Sequence, residues 1–369
     1  MLKQKKIGLL TMPLIDNYGG IIQIKALYHF LNSNGFKAYL IDKKYNIPFY
    51  KNLIKKILSH NPFYKIYDFN KYTARRLYLR NINNFIADEF ENKTKEIFNV
   101  PALIKESKKF DTIIVGSDQV WRYAYVKKDL DVYFLDFVSN NQKKISYAAS
   151  FGVDFWEGDL NTKKNVTNYL KSFNAISLRE DSGVKIVESM VDKEAKQVLD
   201  PTFLPDISFY NSLISKEKLN FKVELFNYVL DTSTDKLAFV NTISNELNKE
   251  IKEINLQEDI DHSKKKQSIA EWLYHFKQAE FIVTDSFHGT VFSIIFNKPF
   301  ITIGNSSRGL TRFTSLLKQI GLLDRLIIDC SRDNTKIEEI IQTPINYDEV
   351  NKKIAVLKKE SSEFLLNNL

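Results

Sequence analysis

A chain of 369 residues that is 44% apolar and 27% charged has material for two cored domains and too many apolar residues for a disordered chain. Its one cysteine, Cys330, excludes an internal disulfide framework, and no group of Cys and His has metal-ligand spacing. A formal charge of +8 admits an anionic ligand, nucleic acid or an anionic membrane surface, while the apolar runs, broken by polar residues, fall short of a spanning segment.

The start, MLKQKKIGLLTM, is basic but runs into Pro13 and Asp16 without a signal-peptide cleavage pattern, so a first strand and an intracellular, cytoplasmic location are expected. KIGLLTM, the turn-rich PLIDNYGG, the helical IIQIKALYHFLNSNG with its terminal glycine, and FKAYLID spell a β-α-β unit. Such a unit predicts a parallel sheet covered by helices. Residues 45–100 change character: NLIKKIL and YTARRLYLRNINNFIADEF predict a helical insertion rich in basic and aromatic residues. FDTIIVGSDQVW, KKISYAAS and AISLRE each pass from buried strand to polar loop. LDPTFL, where Pro201 disfavours a helical continuation, marks a boundary near residue 205.

FKVELFNYVLDTS reads as the next strand, and LAFVNTISNELNKEIKEI as a polar helical and linker region. SIAEWLYHFKQA is a helix, EFIVT and KPFITIGN are strands, and RFTSLLKQIGL is a further helix. The expectation is an α/β chain with a first domain over 1–205, a second over 206–345, and a closing helix over 346–369 that packs back on the fold. No repeat of solenoid type is visible.

Four strand ends carry the candidate chemistry. In TDSFHGTVFSIIF, Asp285 and Ser286 supply helix-capping side chains, and His288 falls in or just before the first turn, among amides without intrahelical partners. Such a helix end holds an anion, and Gly289 admits a ligand or a neighbouring backbone; a satisfied structural histidine fits the same residues. NYGG, Asn17 to Gly20, places two glycines where a ligand meets a helix end, although neither a dinucleotide fingerprint nor a nucleotide P-loop is present. VGSDQVW offers Ser117 and Asp118 to a substrate or to a helix cap, and Trp121 to a sugar face or to the anchoring of its loop. Arg179 in SLRED, and Arg308 and Arg312 in SSRGLTRF, are either anion ligands or members of structural ion pairs. The stretch from Tyr50 to Arg80 suits an ordinary amphipathic surface or peripheral membrane contact, and no nucleic-acid recognition signature accompanies it, so no specific nucleic-acid partner is expected.

NYGGIIQIKALYHFL, DTIIVGSDQVW, KKISYAASFG, AISLRED, VLDPTFL, AEFIVTDSFHGTVFSIIFNKPFITI and RFTSLLKQIGL, occurring in this order, resemble the polysaccharide pyruvyl transferase family. Ile22 stands where that family often has Leu, and Asp285 where an asparagine is common. The resemblance implies two Rossmann-like domains in a GT-B-like arrangement, with the acceptor on the first and phosphoenolpyruvate on the second. It implies a cyclic pyruvate ketal on a sugar of an exopolysaccharide, capsule or cell-wall glycan precursor, free or lipid-linked, with phosphate released and no metal or other cofactor required. On that basis Arg179, Arg308, Arg312, Ser286 and Gly289 are expected at the donor, and His288 as general acid or phosphate ligand. Asp118 is expected to orient or deprotonate an acceptor hydroxyl, with Asn17, Tyr18, Gly19, Gly20, Ser117 and Trp121 at the acceptor. A nucleotide-sugar glycosyltransferase of the same architecture and a non-catalytic carbohydrate-binding protein are the competing readings. The oligomeric state is left open.

Overall fold

A computed structural model describes residues 4–45, 74–254, 265–305, 307–332 and 336–369. NLIKKIL and most of the basic, aromatic Tyr50–Arg80 stretch lie outside the described residues.

The first sheet contains six parallel strands: β1 (Lys6–Leu10), β2 (Lys37–Leu40), β3 (Thr112–Asp118), β4 (Lys143–Ala149), β5 (Ala175–Leu178) and β6 (Ala195–Gln197). Its order is β2-β1-β3-β4-β5-β6. The second contains β7 (Val223–Tyr228), β8 (Ile251–Glu253), β9 (Ala279–Thr284), β10 (Phe300–Ile303) and β11 (Leu326–Ile327), also parallel, in the order β11-β10-β9-β7-β8. Counted within its own half, the first sheet runs 2-1-3-4-5-6 and the second 2-1-3-4-5, so the strand order reverses between β1 and β3 and again between β7 and β9. At such a reversal the connections leave in opposite directions and open a crevice beyond the strands' carboxyl ends.

The helices follow from the chain's own signals. Asn17 caps α1 (Tyr18–Ser33) by accepting from the Gly20 amide, and Ser268 caps α8 (Ile269–Gln278) through the Glu271 amide. Between these lie α2 (Arg80–Glu89), α3 (Val100–Ser107), α4 (Leu160–Lys171), α5 (Asp181–Glu188), α6 (Ile207–Ile214) and α7 (Thr234–Leu247). They are followed by α9 (Phe287–Ile295), α10 (Thr311–Ile320), α11 (Lys336–Gln342) and α12 (Tyr347–Asn368). β9 and α9 are apolar because both are packed on every side: α9 is buried along Phe287 to Ile294.

One apolar cluster runs through both halves, joining α1, α6, α8, α9 and α12, while separate clusters fill the far face of each sheet. Across the seam, Tyr18 of α1 stacks on Trp272 of α8 at 5.4 Å and 10°, and within the second half Tyr210 of α6 meets Phe292 of α9 edge-on at 5.2 Å. Each such ring pair is worth about 0.5–1.5 kcal/mol beyond the area it buries. α12 ties the halves again: its Ser361 accepts from the Leu199 amide at 2.9 Å, and its Lys353 donates to the Ile320 carbonyl of α10 at 3.2 Å.

Two details depart from the sequence reading. EIKEI contains β8, a three-residue edge strand inside the stretch read as helix and linker. Around residues 90–97 the expected helical insertion is extended, bridging the edge of the first sheet at Leu40↔Lys93 and Lys43↔Ile97. Strands this short have too few side chains to display an alternation, and backbone pairing with a neighbour decides them.

Candidate active site

The two strand-order reversals face each other across a cavity of about 380 Å³. From the first half it is lined by the Met12–Tyr18 loop, Tyr45, Asp118, Gln119 and Tyr125; from the second by Leu230, Ser286, Phe287, His288, Arg308 and Arg312.

His288 occupies the second position of α9, whose first turn is closed by Ser286 accepting from the Gly289 amide at 3.3 Å. The ring lies against the start of α1, so closely that a Cβ on Gly19 would stand 2.2 Å from His288 Nδ1. The other ring nitrogen, Nε2, is buried without a hydrogen-bond partner among the described residues and faces Asp200 Oδ2 at 3.6 Å. Helix α1 of one half thus buttresses the histidine of the other.

Asp200, only 2% exposed, receives the Arg179 Nη1 donor at 2.8 Å and the Ser117 hydroxyl at 2.9 Å on Oδ2. Its Oδ1 accepts from the Thr202 amide at 3.0 Å and hydroxyl at 2.7 Å. Burial by itself would raise this carboxyl; the facing His288 and Arg179 and the Thr202 amide outweigh it and hold Asp200 well below the usual carboxylate range.

Two guanidinium groups are sunk beneath the cavity. Arg179 lies with its Cζ 4.4 Å from the centre of the Phe287 ring, and Arg312 lies 5.2 Å from the same ring. Arg179 Nη2 is 3.7 Å from Asp118 Oδ1, and Arg312 Nη2 donates to the Arg308 carbonyl at 2.6 Å. Arg179 Nε and Nη2 and Arg312 Nε are buried with no hydrogen-bond partner among the described residues. Burial, then the charge of Arg179, push Arg312 down to about 10. Two buried like charges with spare donors are costly to an empty protein, and a bound anion removes that cost.

Asp118 ends β3 with φ 78°, a left-handed conformation rare outside glycine, which turns its carboxylate toward the cavity mouth. Its Oδ1 accepts from the Gln119 amide at 2.9 Å, and its Oδ2 receives Asn17 Nδ2 at 3.4 Å. Asp118, Arg179, His288, Arg312, Asn17 and Ser286 therefore come together, drawn from both halves of the chain.

Other expected site residues are buried or have their polar groups engaged by the protein itself. Trp121 is fully buried, donates Nε1 to the Tyr133 carbonyl and stacks on Phe134, so it anchors its loop and presents no face to a sugar. Ser117 is buried against Asp200, and Tyr18 donates its hydroxyl to the Gln267 carbonyl in the seam; neither offers that group to an acceptor. Gly20 packs against Asn17 and Asp118, and Gly289 is required by Thr284, whose Oγ1 would be 2.2 Å from a Cβ there. Arg308 commits its guanidinium to Asp231, with Nε and Nη2 donating at 2.6 and 2.7 Å. That pairing draws Asp231 down to about 2. Asp285 also lines the cavity, but its carboxylate is engaged: it accepts from the Leu230 and Asp231 amides and pairs with Lys236 at 2.6 Å, so it braces the neighbouring loop.

Sequence reasoning missed Asp200, Glu180 and Phe287. For Asp200 there was one signal, a lone acid amid apolar residues in VLDPTFL, hidden because Asp-Pro is also an ordinary turn signature.

Facing flavodoxin-like halves with a cavity at the joined reversals define a GT-B-like two-Rossmann-domain protein. The fold is shared with the UDP-GlcNAc 2-epimerase from Neisseria meningitidis bound to UDP-GlcNAc, at a TM-score of 0.53, 11% identity and coverage of 98% of this chain and 100% of that one. It is shared too with the UDP-N-acetylglucosamine 2-epimerase from Rickettsia bellii, at a TM-score of 0.51, 11% identity and coverage of 99% and 97%. At such identity the likeness is one of architecture. Comparison with curated proteins gives no match. Residues 17–307 match the polysaccharide pyruvyl transferases, and the chain belongs to that family. It is accordingly a ketal-forming transferase with phosphoenolpyruvate as donor and a glycan precursor as acceptor. Among the described residues no helix is long and apolar enough to cross a membrane, and no grouping of acidic, His and Cys side chains suits a metal ion.

Proposed function

We propose that Arg179, Arg312 and the amides opening α9 hold the carboxylate and phosphate of phosphoenolpyruvate above the Phe287 ring, between His288 and Asp118. The observation that carries this reading is the pair of buried guanidiniums with unpartnered N–H groups beneath one ring. Arg308 contributes through its carbonyl, which takes Arg312 Nη2 and Gln119 Nε2, and its guanidinium stays with Asp231.

In this arrangement an acceptor hydroxyl gives its proton to Asp118 as its oxygen attacks C2 of the donor. His288, with Nε2 turned to Asp200, delivers a proton from Nδ1 to the methylene carbon C3, giving a tetrahedral phosphoketal. The bond from C2 to the phosphate oxygen then breaks, phosphate leaves with the electron pair, and a second hydroxyl of the same sugar closes the ketal as it loses its proton. With both hydroxyls on one sugar the second addition is intramolecular, which raises effective concentration greatly. The acceptor enters over Asn17 and the half-exposed Tyr45 and Tyr125, whose rings offer the flat apolar faces that sugars pack against. A lipid-linked acceptor would bring the protein to the inner face of a membrane.

The test is phosphate release from phosphoenolpyruvate across a panel of glycan and lipid-linked precursors, with products read by mass and NMR. Wild-type protein yields a pyruvate ketal, and Arg179→Ala and His288→Ala lose it. Turnover that persists in both variants, or that requires a nucleotide sugar, overturns the reading.

A further inference from the structure

One buried titratable side chain at the site has no part in the chemistry just described. Asp200 is 2% exposed, and its oxygens are taken by Ser117, Arg179 and Thr202. It sits where the chain leaves the first sheet, one residue before the 3-10 turn Pro201–Phe203, and that turn fixes its Oδ1 through Thr202. With Oδ1 fixed, Oδ2 is aimed at three groups from three separate elements: Ser117 on β3, Arg179 after β5, and His288 on α9 of the other half.

A purely structural carboxylate would be satisfied without the third. Arg179, Ser117 and Thr202 already supply four hydrogen bonds. Yet His288 Nε2, buried and without a hydrogen bond among the described residues, faces the same oxygen at 3.6 Å. A closure of about 0.7 Å would convert that contact into a charge-assisted hydrogen bond, and catalytic contacts commonly tighten in this way once substrate is bound. We propose that Asp200 is a positioning residue that aims Arg179 and His288, from opposite halves of the protein, at one bound phosphoenolpyruvate.

This inference rests on the functional reading above and adds the coupling between its two parts. Because His288 reaches Asp200 only when the halves are together, the proton donor is in place only in the closed cleft. The other ionisable groups near Asp200 are Tyr147 on β4 and Tyr210 on α6, both pushed up first by burial and then by the Asp200 charge, and so silent at neutral pH. Asp118 flanks Arg179 on its other side.

The experiment is a double-mutant cycle on the full chain, reading phosphoenolpyruvate affinity by calorimetry and single-turnover phosphate release. Asp200→Asn keeps the shape and removes the charge. It is expected to weaken donor binding by about 10-fold and slow release by roughly 10–100-fold, the range seen when a group that orients a working side chain is lost. Removing the negative charge facing the imidazole should also move the corresponding limb of the pH–rate profile to lower pH. In a His288→Gln background, read on the slow residual release, the further loss on adding Asp200→Asn should shrink to the part that acts through Arg179.

Should Asp200→Asn fail to fold, Thr202→Val loosens the Oδ1 anchor from outside the cavity; it should slow release several-fold with the same direction of pH shift. Lower melting temperature with unchanged affinity, release and pH profile in either variant overturns the inference. So does a release-rate loss from Asp200→Asn that is as large with His288→Gln as without it. If wild-type protein itself neither binds nor consumes phosphoenolpyruvate, the functional reading fails first, and the two failures are told apart.

Discussion

Adding one methyl group at Gly19 perturbs His288 without altering any group that touches substrate. A Cβ there would lie 2.2 Å from Nδ1, 2.4 Å from Cγ and 2.8 Å from Cβ of His288, where ordinary contact begins near 3.4 Å. The clash is with the ring and its root, so a terminal rotation cannot relieve it, and the ring must retreat by about 1.2 Å. Displacement of a catalytic group by about 1 Å costs on the order of 10²-fold in rate, equivalent to about 2.7 kcal/mol of barrier. Helix propensity acts in the opposite direction: an interior Gly→Ala change otherwise stabilises a helix by about 0.5–1 kcal/mol. Gly19→Ala should therefore cut phosphate release by about 100-fold while its melting temperature changes little. Gly20→Ala, whose Cβ has its nearest contacts at Asn17, 3.1 Å, and Asp118, 3.5 Å, and none of them shorter than 3 Å, is the matched control and should lose far less rate. The assay is single-turnover phosphate release with circular dichroism melts on the same samples. Wild-type release from Gly19→Ala, or an equal loss from Gly20→Ala, would refute the claim that α1 sets the position of His288.

Arg312→Leu separates function from stability: removing a buried cation pressed by Arg179 should hold or raise the melting temperature, yet weaken phosphoenolpyruvate binding by 10-fold or more, on the order of 1.4 kcal/mol. A variant that melts earlier and binds normally would show Arg312 to be structural. Gly309→Ala tests the closed seam, since Gly309 has φ 98° and its Cβ would stand 2.1 Å from the Gly152 carbonyl oxygen of the facing half. About 1–3 kcal/mol of backbone strain plus that clash should hold the cleft open, seen as a larger radius of gyration and a raised KM; wild-type scattering and KM would count against it. Glu180 accepts from Ser150 and from the Phe151 and Gly152 amides on Oε1, and burial raises its carboxyl despite Arg179 and Arg312. A raised folded-state carboxyl contributes stability at pH below its unfolded value, and that contribution is lost as pH climbs through the folded value. Glu180→Gln, which stays neutral, should therefore gain on wild type between pH 4 and pH 8 in thermal melts; a gap independent of pH would contradict this.

What the residues disclosed about the site, and what they withheld, divides along a physical line. Strand ends and helix caps are local events, so Ser286 before α9 could be read directly, as could the burial of EFIVT. The direction in which a side chain leaves a strand end depends on one or two dihedrals that no periodicity encodes. Asp118 faces the cavity because its φ is 78°, while Trp121, three residues on, turns into the core. Charge partners are withheld for another reason: they are distant in sequence. Nothing in SSRGLTRF reveals that Arg308 is spoken for by Asp231, 77 positions earlier, or that Arg312 is left with a spare donor. The same distance explains how NYGG and SFHGT, each ambiguous alone between structure and chemistry, become one device. Gly19 lacks a side chain because His288 fills that space, and His288 is held against α1 because the other half of the protein closes over it. A glycine that looked like room for a ligand is room for the His288 ring, and that ring in turn lines the cavity beside Phe287 and Arg312.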